Sequence, residues 1–125
     1  MPLIKLILVL ICLACALPTQ AKRQFYEVEY QTAWCNANNG QMEYVLDDNS
    51  RVDCLLPEYA IEFDFADKWA EGVGQSLYYG LKTKRKPGIV LIMENNSDEI
   101  HLKKIELLSQ KYGIKIWTMK LEELK

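Results

Sequence analysis

Apolar and polar residues alternate between residues 51 and 65, and this two-residue period predicts a pair of β-strands joined by a turn. Residues 56–59 contain a proline at the second position of a tight turn, which folds the first strand back beside the second. The second strand is apolar on one face and acidic on the other: Ile61, Phe63 and Phe65 against Glu62 and Asp64. A strand that served only to fill a core would not carry two neighbouring acids, because burying them unpaired costs several kcal/mol.

The rest of the chain adds three helices and three strands to this pair. Helices are predicted at residues 25–36, 68–82 and 98–112, and strands at residues 41–46, 88–93 and 114–119. Residues 89–93 form an uninterrupted apolar run, which is typical of a central strand covered on both faces. The second helix has a core-facing stripe with a four-residue period and an acid before it as an N-cap: Trp69, Val73, Leu77 and Leu81, preceded by Asp67. The order α-β-β-β-α-β-α-β predicts an α/β fold, with a mixed sheet of about five strands flanked by helices.

Acids from neighbouring strands are predicted to share one face of this sheet. The turn at residues 56–59 places Asp53 beside Glu62, and Asp64 lies two positions further along the same face. Pairing of the strand at residues 41–46 with the next strand brings Glu43 close to Asp53, although an acid on an edge strand also discourages association between sheets. Carboxylate oxygens are hard ligands, so this group suits Mg²⁺ or Mn²⁺.

The order of these acids resembles a known nuclease core. Asp53, a short spacer, Glu62-Phe63-Asp64 on an apolar strand and a following helix with Gln75 resemble the PD-(D/E)XK nuclease superfamily, in its small form similar to Holliday-junction resolvases and restriction endonucleases. The resemblance implies a restriction-endonuclease-like core in which Asp53 and Glu62 bind a metal ion. It also implies a further metal contact from the backbone carbonyl of Phe63.

The chain departs from the family pattern at one position. The family's lysine should stand at residue 64, where this sequence has Asp64, which we expect to join a second metal site or to orient water. In some members the lysine has moved to the following helix, where Lys68 is the candidate, and Gln75 is expected to position water or a phosphate. Members of the family also present a glutamate from the first helix, which Glu27 or Glu29 would supply here. The alternative for each of these helix residues is an ordinary solvated face.

The first residues are predicted to be a signal peptide and not part of the fold. Lys5 supplies a positive charge, residues 6–17 are apolar but shorter than the ~20 residues that span a bilayer, and residues 19–21 end in a small side chain. We therefore expect residues 1–21 to be removed and residues 22–125 to form a single exported domain, periplasmic or secreted, with no membrane contact beyond the leader. The alternatives are an uncleaved N-terminal membrane anchor and a lipoprotein modified at Cys15.

Two cysteines, Cys35 and Cys54, lie outside the predicted leader. In an exported protein an even pair suggests a disulfide, which would tie the first helix to the sheet and stabilise so small a domain by about 2–4 kcal/mol. Two buried free thiols are an equally compatible alternative. The single histidine, His101, does not complete a structural zinc site with them, and one histidine also argues against histidine-rich metallohydrolases.

The charge balance does not by itself indicate a nucleic-acid partner. The formal net charge is −2, and loss of the leader with Lys5 makes it −3, whereas phosphate contacts need lysine and arginine. One basic run follows the second helix at residues 82–86. Within it, Lys84, Arg85 and Lys86 are candidates for phosphate contacts or members of an ordinary solvated loop.

These observations favour an exported, Mg²⁺- or Mn²⁺-dependent nuclease that hydrolyses phosphodiester bonds. Its expected partner is nucleic acid, with DNA the first expectation, and a homodimer is compatible with cleavage of two strands. The alternative is a catalytically inactive nuclease fold that acts as a binding or interaction module in the periplasm, which Asp64 and the acidic balance favour. A third hypothesis is a cation such as Ca²⁺ bound for stability alone.

Overall fold

The helices and strands follow the order predicted from the sequence. The structure is a computed structural model that describes residues 22–125, so the predicted signal peptide at residues 1–21 lies outside it. The elements, in chain order, are α1 (Glu27–Ala37), β1 (Gln41–Val45), β2 (Arg51–Leu55), β3 (Tyr59–Phe65), α2 (Trp69–Thr83), β4 (Lys86–Met93), α3 (Glu99–Tyr112) and β5 (Lys115–Lys120). Short 3-10 turns precede α2 and α3 and follow β5. No helix within this part of the chain combines the length and apolar character needed to cross a membrane.

The five strands form one mixed sheet in the order β1-β2-β3-β4-β5. The first three strands are antiparallel neighbours, whereas β4 runs parallel to β3 and β5 runs parallel to β4. The predicted α/β fold, with a five-stranded mixed sheet flanked by helices, is therefore confirmed. The connection between the parallel strands β3 and β4 contains α2, and that between β4 and β5 contains α3, as parallel pairing requires.

Each face of the sheet has its own apolar core. On one face, α1 covers aromatic and aliphatic side chains that include Phe63 and Val90. On the other, α2 and α3 pack over side chains that include Ile89 and Leu91. Alternate residues of β4 enter the two cores, which explains why its sequence is continuously apolar and why both faces of this strand are covered.

Details at α2 differ from the sequence pattern. Asp67 does not cap the helix: it lies in the turn Ala66–Lys68, and its Oδ1 accepts from Arg23 Nη2 at 2.5 Å. Leu81, predicted to face the core, is 81% exposed. Four other residues of α2 are buried, and they lie beside the predicted stripe: Gly72, Ser76, Tyr79 and Gly80. Gly72 lets the helix approach Asp64 of β3 closely, and Gly80 lets it approach Pro87 of β4.

A disulfide joins the end of α1 to β2. Cys35 and Cys54, left open between a bond and free thiols by the sequence, are bonded, with their Cα atoms 5.8 Å apart. Both side chains are fully buried. A Cβ atom at Gly40 would lie within 3 Å of both sulfur atoms, so only glycine fits beside the bond. The disulfide therefore fixes α1 against the strand that carries Asp53.

We expect loss of this bond to destabilise the domain strongly. The double variant Cys35→Ala/Cys54→Ala should lose about 2–4 kcal/mol of unfolding free energy, because the bond closes a loop between residues 19 positions apart. Urea unfolding of residues 22–125 with and without reductant measures the difference. Reductant should not change the stability of the double variant, which serves as the control. Two thiols that react freely in the unfolded, unreduced wild-type protein would contradict the expectation.

Candidate functional site

Strands β2 and β3 part at Asp53. Their backbone pairing runs through Cys54 opposite Ile61 and Leu55 opposite Ala60. Beyond these pairs, side chains bond to the backbone groups of the strands. The Phe63 N–H donates to Asp53 Oδ2 at 2.9 Å, and Gln31 Nε2 donates to the Asp53 carbonyl at 2.8 Å. A carboxylate is inserted where a backbone hydrogen bond would stand. The two strands therefore form a fork that opens away from the turn joining them.

Asp53 and Glu62 form the acidic pair at this fork. The strand register, continued past Cys54 and Ile61, places them opposite each other. Burial raises the pKa of Asp53 to about 6 and that of Glu62 to about 10, and the negative charges of neighbouring acids add to both shifts. Glu62 is only 5% exposed, and its Oε2 atom has no hydrogen-bond partner. The raised pKa values mean that these carboxyl groups, Glu62 above all, bind a proton in the absence of a cation.

Asp64 continues the acidic face beneath α2. Its side chain is 5% exposed, and its Oδ2 atom also lacks a hydrogen-bond partner. The pKa of Asp64 is raised to about 8. Burial is the main cause, the negative charges of Glu27, Glu71 and Asp53 add to the shift, and the positive charge of Lys68 opposes it. Asp64 therefore holds a proton at neutral pH in the absence of a bound cation.

The first helix contributes one acid to the same region. Burial raises the pKa of Glu27 to about 7, with a further contribution from the charge of Asp53, and Lys68 and Arg23 oppose the shift. Glu27 is therefore close enough to Asp53 for their charges to interact. The other candidate, Glu29, is engaged elsewhere, because its Oε2 atom accepts from the Tyr26 N–H at 2.6 Å at the start of α1.

The face of α2 that carries Lys68 and Gln75 also carries the closest helix contact with the acids. A Cβ atom at Gly72 would lie 2.9 Å from Asp64 Oδ2, so glycine lets the helix backbone cover this carboxyl group. Gln75 is half-buried one turn later. Tyr79 is buried, and its pKa is raised to about 12, mainly by burial and also by the negative charge of Glu62. Lys68, exposed in the turn that precedes α2, is the cation that acts on Asp64.

The carbonyl of Phe63 points into the fork. The N–H and C=O of one strand residue lie on the same strand edge, and the Phe63 N–H is directed at Asp53 Oδ2. Its aromatic ring lies on the opposite face from Glu62 and packs edge-on against Trp34. This backbone oxygen and the Asp53 and Glu62 carboxylates thus lie on the same fork.

Glu43 lies opposite Asp53 across the β1–β2 pair, as the sequence predicts. The neighbouring pairs are Met42 with Cys54 and Tyr44 with Val52. Glu43 adopts φ +54°, a left-handed conformation that is uncommon for a residue with a side chain. Its Oε1 atom accepts from Gln31 Nε2 at 3.0 Å. Sequence reasoning did not single out Gln31, and the available signal is its i, i+4 spacing between Glu27 and Cys35.

The structure does not bring the basic run to the acids. Arg85 Nη1 donates to the Leu56 carbonyl at 2.7 Å, and Lys86 Nζ pairs with Glu58 Oε1 at 2.7 Å. Lys84 ends α2 in a left-handed conformation. These residues lie at the C-terminal end of α2, whereas the acids lie near its N-terminal end. The cations beside the acids are instead Lys68 and Arg23.

The donor chemistry of the fork fits Mg²⁺ or Mn²⁺. Carboxylate and carbonyl oxygens are the hard ligands these ions prefer, and a cation would neutralise the unpartnered oxygens of Glu62 and Asp64. Between residues 22 and 125, no three His, Cys, Asp or Glu side chains are placed so that they already enclose an ion. Binding would therefore require the carboxyl groups to turn toward the ion.

Comparisons of the chain with protein-family models, curated proteins and solved structures find no match. The function is therefore inferred from the contacts and charges of the chain's own residues.

The acids predict an inverse dependence of stability on pH in the presence of chelator. An acid whose pKa is raised by folding binds its proton more tightly in the folded state. For Asp64 and Glu27 the contribution to stability is complete below their ordinary pKa values, 3.8 and 4.5, and is lost as the pH rises through about 8 and 7. We expect the unfolding free energy of metal-free protein to fall across this window.

The variant Asp64→Asn tests the cause of that dependence. It should raise the unfolding free energy at pH 8 by at least about 1 kcal/mol and reduce the pH slope, because the amide carries no charge to bury. Glu106→Gln, at an exposed position of α3, is the matched control and should change neither. Thermal unfolding at pH 4.5 and pH 8 with chelator gives both values. An unchanged slope in Asp64→Asn would contradict the assignment.

Proposed function

We propose that the chain is a metal-dependent nuclease that hydrolyses phosphodiester bonds with Mg²⁺ or Mn²⁺ at the β2–β3 fork. The observation that carries this proposal is the carboxyl group of Glu62, which is 5% exposed, lies opposite Asp53 and has an Oε2 atom without a hydrogen-bond partner. A domain that required only stability would not place this charge at the point where two strands separate. The resemblance to PD-(D/E)XK nucleases gives the same residues as metal ligands.

The proposed ligands come from three adjacent strands of the sheet, β1, β2 and β3. Asp53 and Glu62 would supply carboxylate oxygens, Phe63 would supply its carbonyl, and Glu43 would approach from β1. When bound, the ion would lower the pKa of a coordinated water and stabilise charge on the scissile phosphate. Asp53 is held by the Phe63 N–H, which fixes the carboxylate before an ion arrives.

Residues of α2 would act on the water and the phosphate. Lys68 is exposed beside Asp64, so its ammonium group can stabilise negative charge on the phosphate in the transition state. Asp64 and Glu27 carry carboxyl groups beside the fork, so each would exchange a proton with water there. Gln75, half-buried on the same helix, would position water or a phosphate oxygen.

The proposed substrate is nucleic acid, with DNA the first expectation. The acidic fork repels phosphates unless a cation is bound, so substrate binding should require metal. Lys84 and Lys86 lie away from the fork, so they would contact the nucleic-acid backbone at a distance from it. A second copy in a homodimer would extend this basic surface. The disulfide between Cys35 and Cys54 supports export, because such bonds persist in oxidising compartments. We infer a periplasmic or secreted protein released from its leader, residues 1–21.

A second candidate is an inactive nuclease fold that binds nucleic acid or a protein partner. Asp64 favours it, because an acid stands where the resembled family places its lysine. The two proposals differ in their dependence on metal. A binding module would retain its partner in chelator, whereas the nuclease would neither bind tightly nor cleave.

Cleavage assays test the nuclease directly. Purified residues 22–125 should cleave DNA or RNA with Mn²⁺ or Mg²⁺ and stop in chelator. The double variant Asp53→Asn/Glu62→Gln should lose at least about a hundredfold in rate, since metal-bound water and phosphate stabilisation contribute several kcal/mol. Glu106→Gln should cleave like the wild type. A folded wild-type protein that binds Mn²⁺ without cleaving any nucleic acid would favour the binding module.

Replacement of Lys68 separates its role from that of the metal ligands. Lys68→Ala should lower the cleavage rate about ten- to a hundredfold while leaving Mn²⁺ affinity nearly unchanged, because it removes charge stabilisation and no ligand. Lys103→Ala, at an exposed position of α3, is the control. Steady-state rates and calorimetric Mn²⁺ titration give the two quantities. Equal rates for Lys68→Ala and Lys103→Ala would exclude Lys68 from the reaction.

A further inference from the structure

One face of α1 contacts the acidic fork three times. Glu27, Gln31 and Cys35 are spaced by four residues and therefore lie above one another on the helix. Glu27 interacts electrostatically with Asp53, Gln31 donates to the Asp53 carbonyl, and Cys35 is bonded to Cys54. The helix α1 is therefore attached to β2 at two consecutive residues, Asp53 and Cys54, and Asp53 is a proposed metal ligand.

Gln31 is the polar centre of this contact. Its side chain is only 3% exposed, although glutamine is usually found at the surface. The Nε2 atom lies 2.8 Å from the Asp53 carbonyl and 3.0 Å from Glu43 Oε1. A primary amide nitrogen has two N–H donors, so both are used, one on β2 and one on β1. Gln31 therefore sets the position of Glu43 relative to Asp53.

Glu43 is held in a conformation that needs external support. Its φ of +54° is an unfavourable backbone conformation for a residue that is not glycine. The side chain belongs to an exposed edge strand, where it would otherwise rotate freely in solvent. The hydrogen bond from Gln31 uses Oε1, which leaves Oε2 able to turn toward an ion.

We propose that Gln31 is a positioning residue of the metal centre, which holds the Glu43 carboxylate beside Asp53 so that it completes the ligand set. This inference rests on the proposed function, because it requires a cation at the fork. A glutamine with a purely structural role needs only acceptors to satisfy its amide. Gln31 instead joins a backbone oxygen of one proposed ligand residue to the carboxylate of another. Residues that orient metal ligands in this way typically contribute 10- to 100-fold to metal affinity.

Mn²⁺ affinity of residues 22–125, measured by calorimetric titration, tests the proposal. Gln31→Met keeps the length of the side chain but removes both donors, and it should bind Mn²⁺ about 10- to 100-fold more weakly than the wild type. Gln31→Asn keeps the amide on a shorter side chain that does not reach both acceptors. It should give a loss in the same direction and replaces Gln31→Met if that variant does not fold.

A double-mutant cycle distinguishes positioning from a general structural effect. If Gln31 acts through Glu43, then Gln31→Met should weaken Mn²⁺ binding far less in a Glu43→Gln background than in the wild type. Tyr30→Phe is the matched control, since it removes a neighbouring hydrogen bond from α1, between the Tyr30 hydroxyl and Glu94 Oε1 at 3.0 Å. It should lower stability without changing Mn²⁺ affinity.

The outcomes separate this inference from the proposed function. Equal Mn²⁺ affinity in wild type and Gln31→Met, or equal losses with and without Glu43, would overturn the positioning role and leave the nuclease standing. Weaker binding in Gln31→Met, with no cleavage of nucleic acid by the wild type, would support the role of Gln31 and count against the nuclease. A wild-type protein that binds no Mn²⁺ would overturn both.

Discussion

The arrangement of the fork depends on one hydrogen bond, from the Phe63 N–H to Asp53 Oδ2. In an uninterrupted antiparallel pair this donor would meet a backbone carbonyl. Because a carboxylate takes its place, the backbone pairing of β2 with β3 ends at Cys54 and Ile61. The Asp53 carbonyl also accepts from a donor outside the sheet. Gln31 supplies that donor from α1. Two side-chain contacts to the backbone, Asp53 with Phe63 and Gln31 with Asp53, thus define the fork and join α1 to it.

This arrangement carries an electrostatic cost that the rest of the domain offsets. Burial raises the pKa of Glu62 and Asp64, and repulsion from the neighbouring acids raises it further. Behind them lies an apolar core that includes Phe63, and the disulfide holds α1 in place over it. Gly72 brings the backbone of α2 over Asp64, which limits the entry of water. A domain that retains so much unfavourable charge in a rigid frame fits the general pattern in which functional sites reduce stability.

The sequence predicts what depends on local periodicity and on contacts between neighbouring strands. The two-residue alternation gives the acidic face of β3, and the turn at residues 56–59 gives the approach of Asp53 to Glu62. The element order and the sheet size follow from the same patterns. What the sequence does not reveal are contacts between distant segments, such as Gln31 with Glu43. The basic run shows the same limit, because the partner that fixes Arg85, the Leu56 carbonyl, is 29 residues away in the chain.

Asp64 changes how charge must be balanced in the proposed site. A lysine at that position of β3 would place a cation inside the acidic group, whereas Asp64 adds a fourth acid to Glu27, Asp53 and Glu62. At neutral pH the structure meets this demand with a proton, since the pKa of Asp64 lies at about 8. The fixed positive charge comes from Lys68, in the turn that precedes α2 and exposed to solvent. Because a lysine side chain is long and flexible, in the proposed nuclease this ammonium group would follow the phosphate, while the carboxylates stay fixed to the sheet.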